Sequence, residues 1–367
     1  MSCLANVALA SAALAILPAA APPPAAASME DRLGHCFDQQ SAKVPFSGIV
    51  AASDGTARFE RAAGFADAAG TRRPTSDAPF RLASVQKVLT QIAIAQLVDA
   101  RKLDLAAPVG RYLGGLPPQL AAVTIDQLLH HQSGVASLTM LNPEIAQVLI
   151  SARSARDLVP LVAAQPLAFA PGSRTEYSNG GYFLLGAVIE ATSGQSYGDY
   201  LQSHVFRPLD MTHSSLTPDG KAVIRYTRMS PAGLAETPRP VTAGLPDLPA
   251  SAAGDGLSSA SDMLALGRAL VGDKLVSKTT KERIFQQKSS PWRIGQSGGS
   301  IGTNTDFAVF PESGWVVVTL SNYDPPAGEL MGEVMSKMAT TGTCQPLGAE
   351  DRPSPFRMIT PPPARQP

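Results

Sequence analysis

Ser84-Val85-Gln86-Lys87 and Tyr177-Ser178-Asn179 are two short polar islands in apolar surroundings. Together they supply a nucleophile, an amine and a phenol, a set suited to acyl transfer through a serine ester without a histidine. Ser84 and Lys87 stand at i and i+3, which puts both side chains on one helix face, one turn apart. The run from Ser84 to about Lys102 reads as a mostly buried helix with few polar residues after Lys87. Ser84 then lies at the helix N-terminus, where free N–H groups and the positive dipole end favour an oxyanion. Burial and that positive end push Lys87 toward its neutral form, and a neutral amine can take the Ser84 proton. Tyr177 follows the loop signature Phe169-Ala-Pro-Gly-Ser-Arg-Thr and precedes a helix predicted from about Gly180. A tyrosine so placed suits a second proton shuttle, and Asn179 suits the task of orienting Lys87 or a substrate amide.

Each motif also has a plain reading. By chance such a composition gives about one Ser-x-x-Lys and on the order of a tenth of a Tyr-x-Asn. A helix start, a capping asparagine and a half-buried tyrosine would account for either island alone. A rival nucleophile sits in Gly295-Gln296-Ser297-Gly298-Gly299, which fits the Gly-x-Ser-x-Gly elbow of α/β-hydrolases. That fold needs a histidine after the serine, and His35, His130, His131, His204 and His213 all precede Ser297. His130-His131 is not a metal pair, because neighbours on a helix point about 100° apart. With no His-Glu-x-x-His or Cys-x-x-Cys nearby, the pair reads as a helix end before the Gln132-Ser-Gly turn. No metal and no organic cofactor is expected. Gly298-Gly299 lacks a phosphate-loop context, and Tyr182, Phe183, Leu184, Leu185 and Trp292 read as packing.

Further segments share the order and spacing of a known family. They are Phe80-Arg-Leu-Ala-Ser-Val-Gln-Lys, Val123-Thr-Ile-Asp-Gln-Leu-Leu-His-His-Gln-Ser-Gly and Pro171-Gly-Ser-Arg-Thr-Glu-Tyr-Ser-Asn-Gly-Gly-Tyr. Gly254-Asp-Gly-Leu-Ser-Ser-Ala-Ser-Asp-Met, Gly302-Thr-Asn-Thr-Asp-Phe and Val316-Val-Val-Thr-Leu-Ser-Asn follow in order. From about residue 40 to 342 the chain resembles the serine β-lactamase-like superfamily, on the branch of class C β-lactamases, esterases and D-amino-acid peptidases. The resemblance implies Ser84 as acylated nucleophile, Lys87 as its activating partner, and Tyr177 as general base and later acid. It makes Asn179 a polar anchor and places substrate against Gln296, Ser297 and Gly298. The backbone N–H groups of Ser84 and Gly299 become the oxyanion hole. Where the family carries Lys-Thr-Gly or His-x-Gly, this chain has Gln296-Ser297-Gly298. Without a cation at Gln296 a substrate carboxylate loses a charge-assisted contact. That favours a short-chain ester or a D-amino-acid amide over a β-lactam, with a penicillin-binding DD-peptidase as a runner-up. The rival from another class is a degenerate homologue that binds cell-wall fragments or a protein partner.

The surrounding elements fit an α+β fold. Val44–Val50 and Ala57–Ala63 alternate about Asp54-Gly55, and Thr305–Phe310 and Trp315–Ser321 flank Pro311-Glu-Ser-Gly314, two hairpin signals. With a strand at Trp292–Ser297 they make a five-stranded antiparallel sheet built from both chain ends. The domain runs over 28–342, its sheet part at about 28–83 and 288–342 and its mostly helical insert at about 84–287. The site then falls at the seam between the two. Residues 1–27 are Ala/Leu-rich and end in Ala25-Ala-Ala27, which reads as a cleaved signal peptide and a periplasmic or secreted protein with no stable membrane insertion. Export leaves Cys36 and Cys344. Because the first and last helices pack side by side in the resembled fold, these two are expected to bridge, at roughly 5 kcal/mol by loop entropy. The Pro-rich residues 343–367 read as disordered. Thirty basic residues balance thirty acidic ones, so nucleic acid is not an expected partner and a small molecule or peptide is.

Overall fold

Alternation along three β-branched strands sets the architecture. The computed structural model describes residues 27–348 apart from 139–141, 218–219, 221, 231–232, 242–248 and 287–290. Strands β1 (Gly48–Ser53), β2 (Arg58–Ala63), β7 (Ile294–Ser300), β8 (Thr303–Phe310) and β9 (Trp315–Ser321) form one sheet in the order β2-β1-β9-β8-β7. Every pairing in it is antiparallel. The α+β fold and the two expected hairpins are therefore present, and the last expected strand is shifted to Ile294–Ser300.

The period of two sends successive side chains to opposite faces. Val50, Ala52, Ala308, Phe310 and Val317 bury against Leu33 and Phe37 of α1 (Met29–Lys43) and Met331 and Met335 of the C-terminal helix. Ile49, Ala51, Phe307, Val309, Val318 and Leu320 bury against the helical region on the other side. Both faces are covered, so β9 is buried along its whole length and its sequence is a near-continuous apolar run. Each large side chain so enclosed contributes about 1.5–3 kcal/mol.

The helical region centres on α2 (Gln86–Asp99), whose buried residues face all sides rather than one stripe, so the helix lies in the core. The expected helix start is corrected in detail: Ala83–Val85 form a 3₁₀ turn, and α2 follows it and ends at Asp99, short of Lys102. The insert is mostly helical as expected, and it also contains the hairpin β4 (Tyr226–Ser230) and β5 (Gly233–Pro240). It also sends β6 (Leu257–Ser258) to pair with β3 (Phe80–Arg81), just before the turn that holds Ser84. Three more helices matter for the site: α3 (Ile125–Leu129), α4 (Asn179–Ser193) and α5 (Ala260–Val271). The last helix, α6 (Ala327–Thr341), packs beside α1.

The first helix and the segment after the last are tied as expected by a Cys36–Cys344 disulfide, with a sequence separation of 308. The expected disorder from 343 is corrected for the first six residues. The Leu347 amide and carbonyl both bond the Gln40 side chain, and Lys43 Nζ donates to the Pro346 carbonyl. The rest of that tail, like residues 1–26 of the expected signal peptide, lies outside the described residues.

Candidate active site

The 3₁₀ turn carries Ser84 to the seam between β7 and the helical region. Ala83, just before it, has φ +44°, a left-handed conformation that costs an alanine about 1–3 kcal/mol and persists only where its surroundings hold it. Two ties supply that hold: Thr305 Oγ1 donates to the Leu82 carbonyl at 2.8 Å, and the Leu82 N–H donates to the Gly256 carbonyl at 2.8 Å. Strand β7 passes so close that a Cβ on Gly298 would lie 2.7 Å from both the Ser84 nitrogen and the Leu82 oxygen. Only glycine fits there.

Lys87 stands one turn on, fully buried. Its Nζ lies 3.2 Å from Ser84 Oγ and 2.9 Å from Asn179 Oδ1, and it also donates to the Ala253 carbonyl. Burial drives the Lys87 ammonium down to about 7, against the raising effect of the Asp255 charge. An ammonium uses all three protons on these acceptors. A neutral amine keeps two on Asn179 and Ala253 and turns its lone pair toward Ser84 Oγ.

Tyr177 OH sits 2.6 Å from Ser84 Oγ. The residue is 40% exposed, so its ring rims the cleft while its hydroxyl reaches inward. Burial away from water pushes that hydroxyl up to about 12; the Ser84 contact opposes the rise and the Asp255 charge adds to it. Asn179 opens α4, with Ser178 as the cap whose Oγ accepts from the Gly181 amide. The Asn179 amide group donates to the Leu138 carbonyl, which fixes its Oδ1 toward Lys87.

The third motif splits by strand parity. Gln296 pairs with Phe307 and Gly298 with Thr305, both on the face toward the helical region. Ser297 pairs with Asp306 and lies on the opposite face. Its Oγ donates to Asp306 Oδ1 at 2.6 Å, beside Arg293 Nη2 at 2.7 Å on the same oxygen. This corrects Ser297 as a substrate contact, because an edge-strand residue and its neighbour point to opposite sides. Gln296 Nε2 donates back to the Ser297 carbonyl. Gly299 stands opposite Asn304, whose side chain bonds the Gly298 carbonyl and the Glu329 amide and so fixes this stretch of backbone.

Three neighbours were not singled out for a role in the sequence. The His131 ring lies 4.7 Å from that of Tyr177 and 5.3 Å from that of Tyr182, and its Nδ1 accepts the Ser178 amide. The sequence marks it as a helix end, and it does follow α3, but its φ of +58° turns it back over the site. Tyr182, read as core, is core, yet its ring also lies 5.3 Å from Lys87 Nζ. Asp255 is buried, and nothing in Gly254-Asp-Gly256 taken alone distinguishes it from a turn residue. His130 keeps its plain reading, bonded through both ring nitrogens to the Asp126 and Ile284 carbonyls.

A five-stranded antiparallel sheet, a helical insert, and a Ser-x-x-Lys turn facing a Tyr-x-Asn helix start define the serine β-lactamase-like superfamily. The beta-lactamase family profile matches residues 33–335, and the chain belongs to that family. It is 29% identical over 303 residues to penicillin-binding protein 4* of Bacillus subtilis, covering 77% of this chain and 62% of that one. It is 35% identical over 201 residues to esterase EstB of Burkholderia gladioli, covering 51% of each. The chain thus spans between half and two thirds of these relatives. Among solved structures, a penicillin-binding protein from Bacillus halodurans superposes with TM-score 0.70 at 26% identity, over 83% of this chain and 99% of that one. A D-amino acid amidase from Ochrobactrum anthropi shares the fold with TM-score 0.70 at 21% identity, over 84% and 95%.

Proposed function

We propose that this chain is an exported serine hydrolase that forms an acyl-enzyme on Ser84. The observation that carries the reading is the placement of Ser84 Oγ between Lys87 Nζ and Tyr177 OH, both within hydrogen-bond reach. Neutral Lys87 takes the Ser84 proton as Oγ bonds to the substrate carbonyl carbon. The carbonyl oxygen gains the negative charge, and the Ser84 and Gly299 N–H groups receive it. Tyr177, held protonated near neutral pH, passes its proton to the departing alcohol or amine and recovers one from Lys87. Lys87 is thus the base in this scheme, and Tyr177 keeps only the acid half of the role the family resemblance implies for it. Water then repeats the cycle on the ester. The disulfide fits an oxidising compartment and so an exported chain. Among the described residues no helix is long and apolar enough to cross a membrane.

Gln296 on the nucleophile-facing side of β7 favours neutral substrates, namely a short-chain ester or a D-amino-acid amide. The same residue is the observation behind the alternative, a homologue that binds cell-wall fragments or a protein partner without turnover. Hydrolysis of nitrophenyl acetate, a D-alanine anilide and benzylpenicillin by wild type and Ser84→Ala separates them. Turnover of the ester or anilide that Ser84→Ala abolishes, with little on benzylpenicillin, is expected. Binding of cell-wall fragments with no turnover of any of the three would favour the alternative.

A further inference from the structure

Asp255 occupies a position that its backbone conformation argues against. Its φ is +70°, a left-handed conformation that glycine adopts freely and other residues adopt at a cost. Glycines flank it on both sides, and neither Gly254 nor Gly256 has a positive φ. The one residue of the three with a side chain is the one held in the left-handed state. Aspartate tolerates this better than most residues, but it also buries a carboxylate here at 6% exposure.

The loop holding it is pinned to the nucleophile turn. The Asp255 amide donates to the carbonyl of Ala83, itself a left-handed residue, at 3.2 Å. Arg81 Nη1 lies 3.4 Å from the Asp255 carbonyl oxygen. Two residues earlier in the loop, the Ala253 carbonyl accepts from Lys87 Nζ. The Tyr177 and Tyr182 rings face Lys87 from the α4 side, with His131 stacked on both, and the buried Asp255 lies in the loop whose Ala253 carbonyl meets Lys87 Nζ. Arg81 faces Asp255 from β3. The Asp255 charge acts on both Lys87 and Tyr177.

We infer that Asp255 is a charge-balancing positioning residue, whose buried carboxylate stabilises the Lys87 ammonium that forms as Ser84 loses its proton. The proton moves from Ser84 Oγ to Lys87 Nζ while the Oγ–carbon bond forms, so a cation appears in a dry site just as the oxyanion does. A fixed anion nearby lowers the energy of that state more than of the resting one, in which the amine is neutral. This inference rests on the acyl-enzyme reading of Ser84.

The test is the second-order rate of fluorophosphonate labelling from pH 5 to 10 for wild type, Asp255→Asn and Asp255→Gly. Without the anion Lys87 ionises at lower pH, so the acid limb should move down by about one pH unit. Its plateau rate should fall roughly tenfold, because a weaker base and an unsupported ammonium both slow the step. Asp255→Gly relieves the backbone and should melt no lower than wild type, yet show the same displaced limb. It keeps the test open if Asp255→Asn fails to fold. Labelling of both variants with the wild-type limb and plateau would overturn the inference and leave the reading of Ser84 intact. Failure of the wild type itself to label would overturn both.

Discussion

Asn179→Asp changes one atom type beside Lys87 and should change the pH at which Ser84 is activated. Asn179 Oδ1 is 2.9 Å from Lys87 Nζ, and both sit on packed elements, so the substitution delivers a carboxylate to the buried amine with little movement. An opposite charge within about 4–6 Å raises an ammonium by about 1–3 pKa units. Lys87 ionises at about 7 in the native site. Roughly half of it is therefore neutral at pH 7, and the variant would leave only about 10% to 0.1% neutral. Fluorophosphonate labelling at pH 7 should slow by roughly 5- to 500-fold and return toward the wild-type rate near pH 10. The lost Asn179 donor to the Leu138 carbonyl should cost about 1–3 kcal/mol, read separately by urea unfolding. A loss of labelling that is uniform from pH 6 to 10, in folded protein, would refute the idea that neutral Lys87 is the base.

Gly298→Ala should cut labelling about 100-fold without unfolding the protein, since its Cβ would push the Ser84 turn aside. Ser297→Ala should leave ester hydrolysis unchanged and cost about 1 kcal/mol in urea unfolding, because its hydroxyl serves Asp306 and not the cleft. Lys87→Met should abolish labelling and should gain stability relative to wild type as pH falls from 10 to 6. The unfolded lysine takes up its proton below about 10.5 and the folded one only below about 7, so stability is lost as pH falls through that window. Removing the lysine recovers on the order of 5 kcal/mol at most, less about 1–3 for each acceptor left unpaired, and the gain should fade toward pH 10. Cys36→Ser should lower stability by about 2–5 kcal/mol, and reductant should do the same to wild type only.

Much of this site is legible in the sequence because it depends on short-range order. Ser84 and Lys87 meet through helical spacing, and Asn179 and Tyr177 are delivered by the cap of an apolar helix. The two hairpins are readable because their strands alternate about clear turn residues. The departures come from longer-range geometry. Ser297 looked equivalent to Gln296 until strand parity and the register with β8 sent it to the far face. Asp255 and His131 reach the site through positive-φ turns, which neither residue type announces. The β4–β5 hairpin lies in a stretch without the alternation seen in the main sheet, so it carries no strand signal within the mostly helical insert. The contacts of residues 343–348 with α1 depend on Gln40, which has no periodic signal pointing to them.

The most direct test is the intact mass of the protein after fluorophosphonate treatment, with Ser84→Ala alongside and the modified peptide mapped. One adduct on wild type, located at Ser84 and absent from the variant, is the predicted result. An adduct that persists in Ser84→Ala, or none on folded wild type, would contradict Ser84 as the activated nucleophile.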